Sequence, residues 1–397
     1  MKNYFYPADI LLPKKNFTEW SVIACDQYTS EPEYWSKVKE TVSDKPSALN
    51  VILPEVYLKK DNSQAINKIN ATMEEYLNND VFDCYDNSMI LTSRTLKDGK
   101  IRNGIVGLID LEDYSYEIGA KTLIRATEKT VVERIPPRVN IRCDASLEIP
   151  HIMLLIDDAE NTVIEPLFKI RNNLKKVYDF DLIMNAGSIK GYLLDNVSIE
   201  KVNIALGKLK DNSKDGFLFA VGDGNHSLAS AKECYKEGKG PRYAMAEIVN
   251  IHDTSLQFEP IYRIIKNINP NNVIEDFVSW CGGDYYGDDA QKFTCVFGNE
   301  KLTVSLKPHG SLHIATLQSF LDDYLKDNED AVVDYIHGTD SLVNLSKAEN
   351  TVGFIFEGMS KNDLFYAVSQ DGSLPRKTFS MGCADDKRFY LEARKIK

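Results

Sequence analysis

Three observations predict an α+β fold of mixed sheets with packed helices. Helical-period stretches and hairpin signals occur side by side, the turns Asp98-Gly99 and Gly298-Asn299 imply antiparallel pairing, and no regular alternation of strand and helix runs along the chain. A doubly wound parallel sheet would need that alternation. With 397 residues, 43% of them hydrophobic and 27% charged, the chain has material for a large core and two or three structural units.

Ser30-Glu31-Pro32-Glu33 has capping-box spacing, and Tyr34, Trp35, Val38 and Val42 follow at helical intervals, so a helix starts there. Ile66, Ile69, Met73 and Leu77 repeat that period after the polar Asp61-Asn62-Ser63, giving a second amphipathic helix. Both are expected to pack on a sheet. Met89-Ile90-Leu91 opens a strand region, Asp98-Gly99 turns it, and Ile105 to Leu111 reads as a buried strand broken by Gly107. His151 to Ile156 is an apolar run stopped by Asp157-Asp158, as a central strand would be, and Leu167 to Tyr178 reads as helical. Phe217 to Val221, a glycine turn and the stretch around Leu228, Ala231 and Tyr235 form a strand–turn–helix unit ending near Gly238. Beyond it, Phe293 to Phe297 and Leu302 to Leu306 flank Gly298-Asn299 as a hairpin, and Leu317, Phe320, Leu321 and Tyr324 mark a further helix. No repeat, low-complexity tract or Gly/Ser linker separates these parts, so we expect interlocked segments at 1–130, 131–265 and 266–397, the middle one carrying the turn.

A formal net charge of −12 works against capture of phosphate backbones, which argues against nucleic-acid partners. A small-molecule substrate is the expected partner. The N-terminus lacks a signal-peptide apolar core and no stretch approaches a membrane span, so a soluble cytoplasmic protein without membrane partners is expected. Seven cysteines without any C-x-x-C pair read as reduced, mostly buried thiols, Cys25 beside Asp26 included.

Gly222-Asp223-Gly224-Asn225-His226 concentrates functional groups in one turn. Glycines let backbone approach a ligand, and amides at a helix start attract an anion. If Asn225 caps the helix, the N–H groups of His226, Ser227 and Leu228 point toward the turn. Asp223 would then bind a divalent cation or accept a proton, and His226, beside the positive helix end, suits proton transfer. The structural alternative is an Asx turn at Asp223, a cap at Asn225 and a surface His226. Neither the G-x-x-x-x-G-K-[ST] loop nor the G-x-G-x-x-G fingerprint is present. Arg125 to Glu128 and Glu133 to Arg138 place alternating charges around Pro136-Pro137. They are either a salt-bridged surface or a set in which Arg125 and Arg134 hold nucleotide oxygens and Glu128 acts as base. Asp26 and Lys377 have the same two readings, catalytic group or loop and surface charge.

Asp26, Arg125 to Arg138, the Gly222-to-His226 turn and Pro375-Arg376-Lys377-Thr378 together resemble the large bacterial and archaeal family of unknown function numbered 1015, over most of the chain. That family's turn usually reads Asp-Gly-His-His-Arg and is similar to one in ParB-like free-serine kinases, where it sits at the nucleotide phosphates. The resemblance implies a ParB-like nucleotide-binding core and a small-molecule kinase using ATP or ADP and Mg²⁺. Asp223, Gly224 and His226 match, whereas Asn225 replaces the first histidine and Ser227 the arginine. Phosphate binding would therefore rest on Gly222, Gly224, Asn225 and Ser227 with Arg125 and Arg134, Asp223 holding the metal and Asp223, His226 and Glu128 doing the chemistry. The acceptor would be a hydroxylated metabolite such as a serine-like amino acid. The alternatives are a metal-dependent hydrolase at the same turn and a non-catalytic nucleotide- or metabolite-binding protein.

Overall fold

Most of the apolar runs in the first 256 residues assemble into one nine-stranded mixed sheet. Its spatial order is Tyr114–Ser115, Ile124–Ala126, Phe219–Asp223, Met153–Ile156, Tyr243–Asn250, Ile101–Asp110, Ile90–Thr95, Ser188–Leu193 and Lys175–Asp181. The computed structural model describes residues 2–130 and 135–397, in two units, Met1–Leu256 with Gly382–Lys397 and Gln257–Met381. The fold is α+β.

Alternation along the strands gives the first unit two cores. Val106 and Leu108 join Trp35, Val38, Ile69 and Met73 from the helices Pro32–Val42 and Ser63–Asn78. Ile105 and Ile109 face the other way, with Leu154, Phe219, Leu206 and Leu228, the last two from helices Asn196–Asn212 and Asn225–Lys236. Each such side chain, once enclosed, contributes about 1.5–3 kcal/mol. The expected helix at Pro32 forms, but Glu31 is its N-cap and no side chain caps it, so the Ser30 capping box is not made. Gly107 does not break its strand. A Cβ there would lie 2.6 Å from Phe5 Cε1 and 2.8 Å from the Tyr6 carbonyl, so the missing side chain lets the N-terminal segment lie across the sheet.

Leu167 to Tyr178 departs from the helical expectation. A short helix, Glu165–Ile170, and a 3₁₀ turn, Arg171–Asn173, give way to the edge strand Lys175–Asp181, whose pairing with Ser188–Leu193 outweighs helical periodicity. The division into segments also differs. Residues on both sides of position 130 share one sheet, and position 265 falls inside the strand Phe258–Lys266. The last residues return to the first unit: the Tyr390 amide donates to the Val22 carbonyl (2.8 Å), that of Ala393 to Leu11 (3.0 Å) and the Trp20 indole to Leu391 (2.9 Å).

The second unit has a six-stranded sheet built on Phe258–Lys266, which pairs with Val332–His337, Thr351–Phe356 and Phe379–Met381. The Gly298-Asn299 hairpin joins Gln291–Phe297 to Glu300–Leu306 as expected. Phe277, Leu317 and Phe320 from the helices Pro270–Trp280 and His313–Asp327 pack on Phe293 and Phe354. Among the described residues no helix is long and apolar enough to cross a membrane.

Candidate active site

The strand Phe219–Asp223 lies between Ile124–Ala126 and Met153–Ile156, and its pairing with the latter shifts between Val221 and Asp223. That irregularity falls at Gly222 and re-aims Asp223. Gly224 follows with φ +80°, where a Cβ would stand 3.0 Å from Ile152 Cα, so both conformation and space select glycine. Gly224, not Asn225, is the N-cap of the helix Asn225–Lys236, and no side chain caps it. Asn225 is the first helical residue, and its Oδ1 is buried without a hydrogen bond. The Leu228 amide already bonds the Gly224 carbonyl (2.9 Å), whereas no acceptor among the described residues meets the amides of Asn225 and Ser227. His226 and Ser227 are half-buried in the first turn.

Asp223 Oδ1 accepts the Gly224 amide at 3.0 Å. Its Oδ2 is buried and accepts no hydrogen bond, but Lys387 Nζ forms an ion pair with it at 3.4 Å. Lys387 comes from the returning C-terminal segment, held there by Arg94, which donates to the Lys387 and Asp385 carbonyls (3.0 and 2.8 Å). One residue on, buried Arg388 pairs with Glu247 and Glu392.

Behind the turn, Tyr390 links three further groups. Its hydroxyl accepts the Cys25 amide (3.2 Å) and meets His151 Nδ1 (2.8 Å), and His151 Nε2 lies 3.9 Å from Asp26 Oδ2. The direction of the Tyr390–His151 bond follows the imidazole tautomer: with the hydroxyl donating to Nδ1, Nε2 carries its proton toward Asp26. Burial works to raise the Asp26 carboxyl, yet His151, the Gln27 amide and Lys387 outweigh it and hold it below its ordinary value. Lys387 thus acts on both Asp26 and Asp223. Burial, with Asp26 adding to it, pushes the Cys25 thiol up to about 12, so it is no nucleophile.

The charged patches of the sequence fall in different places. Thr127 Oγ1 donates to the Val221 carbonyl (2.7 Å), Ala126 pairs in parallel with Val221, and Glu128 follows two residues beyond the end of that neighbouring strand. Arg125 is buried, paired with Asp215 at 2.7 Å and bonded to the Thr122 carbonyl, so its guanidinium is committed away from the turn. Arg134 lies outside the described residues. Arg138 pairs with Glu55, whose amide bonds the Cys25 carbonyl (2.8 Å). Lys377 belongs to the second unit, with its Nζ 4.8 Å from the Tyr335 ring centre. His151, Tyr390 and Lys387 are the groups that sequence reasoning missed. Only His151, at the head of an apolar run, carried a local signal. Among the described residues no three His, Cys, Asp or Glu side chains cluster as a metal cage.

No curated protein matches the chain. Solved structures similar to it include a free serine kinase variant with AMP (12% identity, 73% of this chain and 90% of that one, TM-score 0.42) and one with ADP (12%, 75% and 93%, 0.41). A conserved hypothetical protein from Pyrococcus furiosus is a third (13%, 71% and 92%, 0.38). Likeness at that level fixes neither a shared fold nor a shared activity. The family model described as "Protein of unknown function (DUF1015)" matches residues 6–324, and the chain belongs to that family.

Proposed function

We propose that the Asp223 turn binds nucleotide phosphate and that the protein is a small-molecule phosphotransferase using ATP or ADP with Mg²⁺. The observation that carries this reading is Asp223 Oδ2, buried without a hydrogen bond and ion-paired with Lys387, at the start of a helix that no side chain caps. Phosphate oxygens would take the amides of Asn225 and Ser227, the Ser227 hydroxyl and the Lys387 ammonium. A buried carboxylate oxygen that lacks a donor fits Mg²⁺, which is bound through one or two carboxylates and substrate phosphates and needs no protein cage. Bound there, the metal would draw charge from the transferring phosphoryl group.

Asp223 would hold the metal, and His226 would bond phosphate or relay a proton. The acceptor hydroxyl gives its proton to the Asp26–His151 pair, with Glu128 as the second carboxylate near the turn. Arg125 is left out because Asp215 occupies it. The resemblance of the turn makes a serine-like amino acid the first acceptor to try.

The test is a ³¹P NMR assay of purified protein with ATP or ADP, Mg²⁺ and a panel of hydroxylated metabolites. We expect phosphorylated acceptor only when nucleotide and Mg²⁺ are both present, and its loss in a folded Asp223→Ala variant. Unchanged turnover in that variant removes the assignment, and hydrolysis with metal but no nucleotide favours a metal-dependent hydrolase.

A further inference from the structure

We propose that Cys143 and Cys234 form a reversible disulfide, made by exchange with a low-molecular-weight disulfide, that staples the helix Ile135–Cys143 to the helix Asn225–Lys236. Their Sγ atoms meet at 2.8 Å across 91 residues of sequence. The Cys234 thiol also donates to the Val139 carbonyl (3.8 Å), and the two helices that carry the cysteines pack directly against each other. Among the described residues no other two cysteine sulfurs are in contact.

Access favours one order of events. Cys143 lines a cleft of about 670 Å³ together with Ile66, Val139, Asn140, Glu233 and Lys239, whereas Cys234 is fully enclosed behind it. The Cys143 thiolate attacks one sulfur of the small disulfide, breaking its S–S bond and releasing one small thiol. Cys234 then gives up its proton and attacks the Cys143 sulfur of the mixed disulfide, releasing the second small thiol. Two protein thiols lose two electrons and two protons, and the small disulfide is reduced to two thiols. Burial and the neighbouring Cys143 raise the Cys234 thiol to about 12, so its attack on the mixed disulfide relies on the nearness of the two sulfurs and not on a ready thiolate.

The staple would connect two segments that reach the site. One carries Arg138, paired with Glu55 beside the Cys25–Asp26 loop, and the other begins at the Asp223 turn. Its formation does not depend on the phosphotransfer reading.

The experiment incubates the full chain with oxidised glutathione, alkylates it, and maps peptides without reduction by mass spectrometry. We expect a linked Cys143–Cys234 peptide and a melting temperature raised by about 5 °C or more, both reversed by dithiothreitol. Cys143→Ser and Cys234→Ser should each abolish the link, and the exposed-thiol double variant Cys84→Ser/Cys383→Ser should keep it. Glutathione found only on Cys84 and Cys383, or a link between other cysteines, overturns the proposal. If a Ser variant fails to fold, the wild-type map alone decides.

Discussion

Lys387 reaches to within 3.4 Å of Asp223 although one residue ends a strand of the central sheet and the other lies near the C-terminus. The pair exists because Arg94 and Arg102, buried in adjacent strands, donate to the carbonyls of Asp385, Asp386 and Lys387 and pin the returning segment. Lys387 also helps keep Asp26 ionised, so one ammonium joins the early loop to the turn.

Tyr390→Phe should remove the hydroxyl that bonds His151 Nδ1 while leaving the ring in place. We expect phosphotransfer to fall about tenfold, a loss typical of a misdirected proton acceptor. Nitrogen-15 NMR at pH 8 should show the Nε2–H tautomer of His151 in the wild type and a mixture in the variant. An unchanged tautomer would mean that the Tyr390 contact does not orient the ring.

Gly224→Ala forces a side chain into left-handed backbone and against Ile152. The expected cost is about 1–2 kcal/mol from the backbone alone, with further loss from the contact, read by urea denaturation. Nucleotide binding should be lost with it, because the turn can no longer present the helix amides.

Glu247 is buried against Arg388 and bonded to Thr92 (2.6 Å). Burial alone would raise its carboxyl, but Arg388 and Arg102 reverse that and hold it low. A depressed folded value means stability that is fully present above the ordinary carboxylate range and lost as pH falls through the lower folded value. Glu247→Gln should therefore cost about 3 kcal/mol at pH 7, leaving guanidinium charge buried, and the gap to wild type should narrow as pH falls below the ordinary carboxylate range. A gap independent of pH would contradict this.

Cys84 and Cys383 are exposed, whereas burial and Asp26 hold the less exposed Cys25 thiol near 12, so iodoacetamide at pH 8 should label Cys84 and Cys383 well before Cys25 in the folded chain. Rapid labelling of Cys25 would mean that its loop opens.

Local chemistry made part of this molecule readable in advance. The 3.6-residue period marked the helices Pro32–Val42 and Ser63–Asn78, and Asp98-Gly99 and Gly298-Asn299 marked hairpins, because those elements are decided by neighbours in sequence. The turn at Gly222 stood out for the same reason. Lys175–Asp181 was misread because an edge strand is decided by its partner, Ser188–Leu193. Lys387 and Tyr390 had no motif at all. Their place depends on buried arginines and on a C-terminal segment that crosses back over the first unit, contacts without any periodic trace.

Calorimetric titration of MgATP and MgADP into the wild type and Lys387→Met tests the phosphate site most directly. We expect saturable binding of at least one nucleotide by the wild type, weakened tenfold or more in the variant, a loss of about 1.4 kcal/mol or greater. Equal affinity in both proteins, or no heat with either nucleotide at millimolar concentration from folded protein, would contradict it.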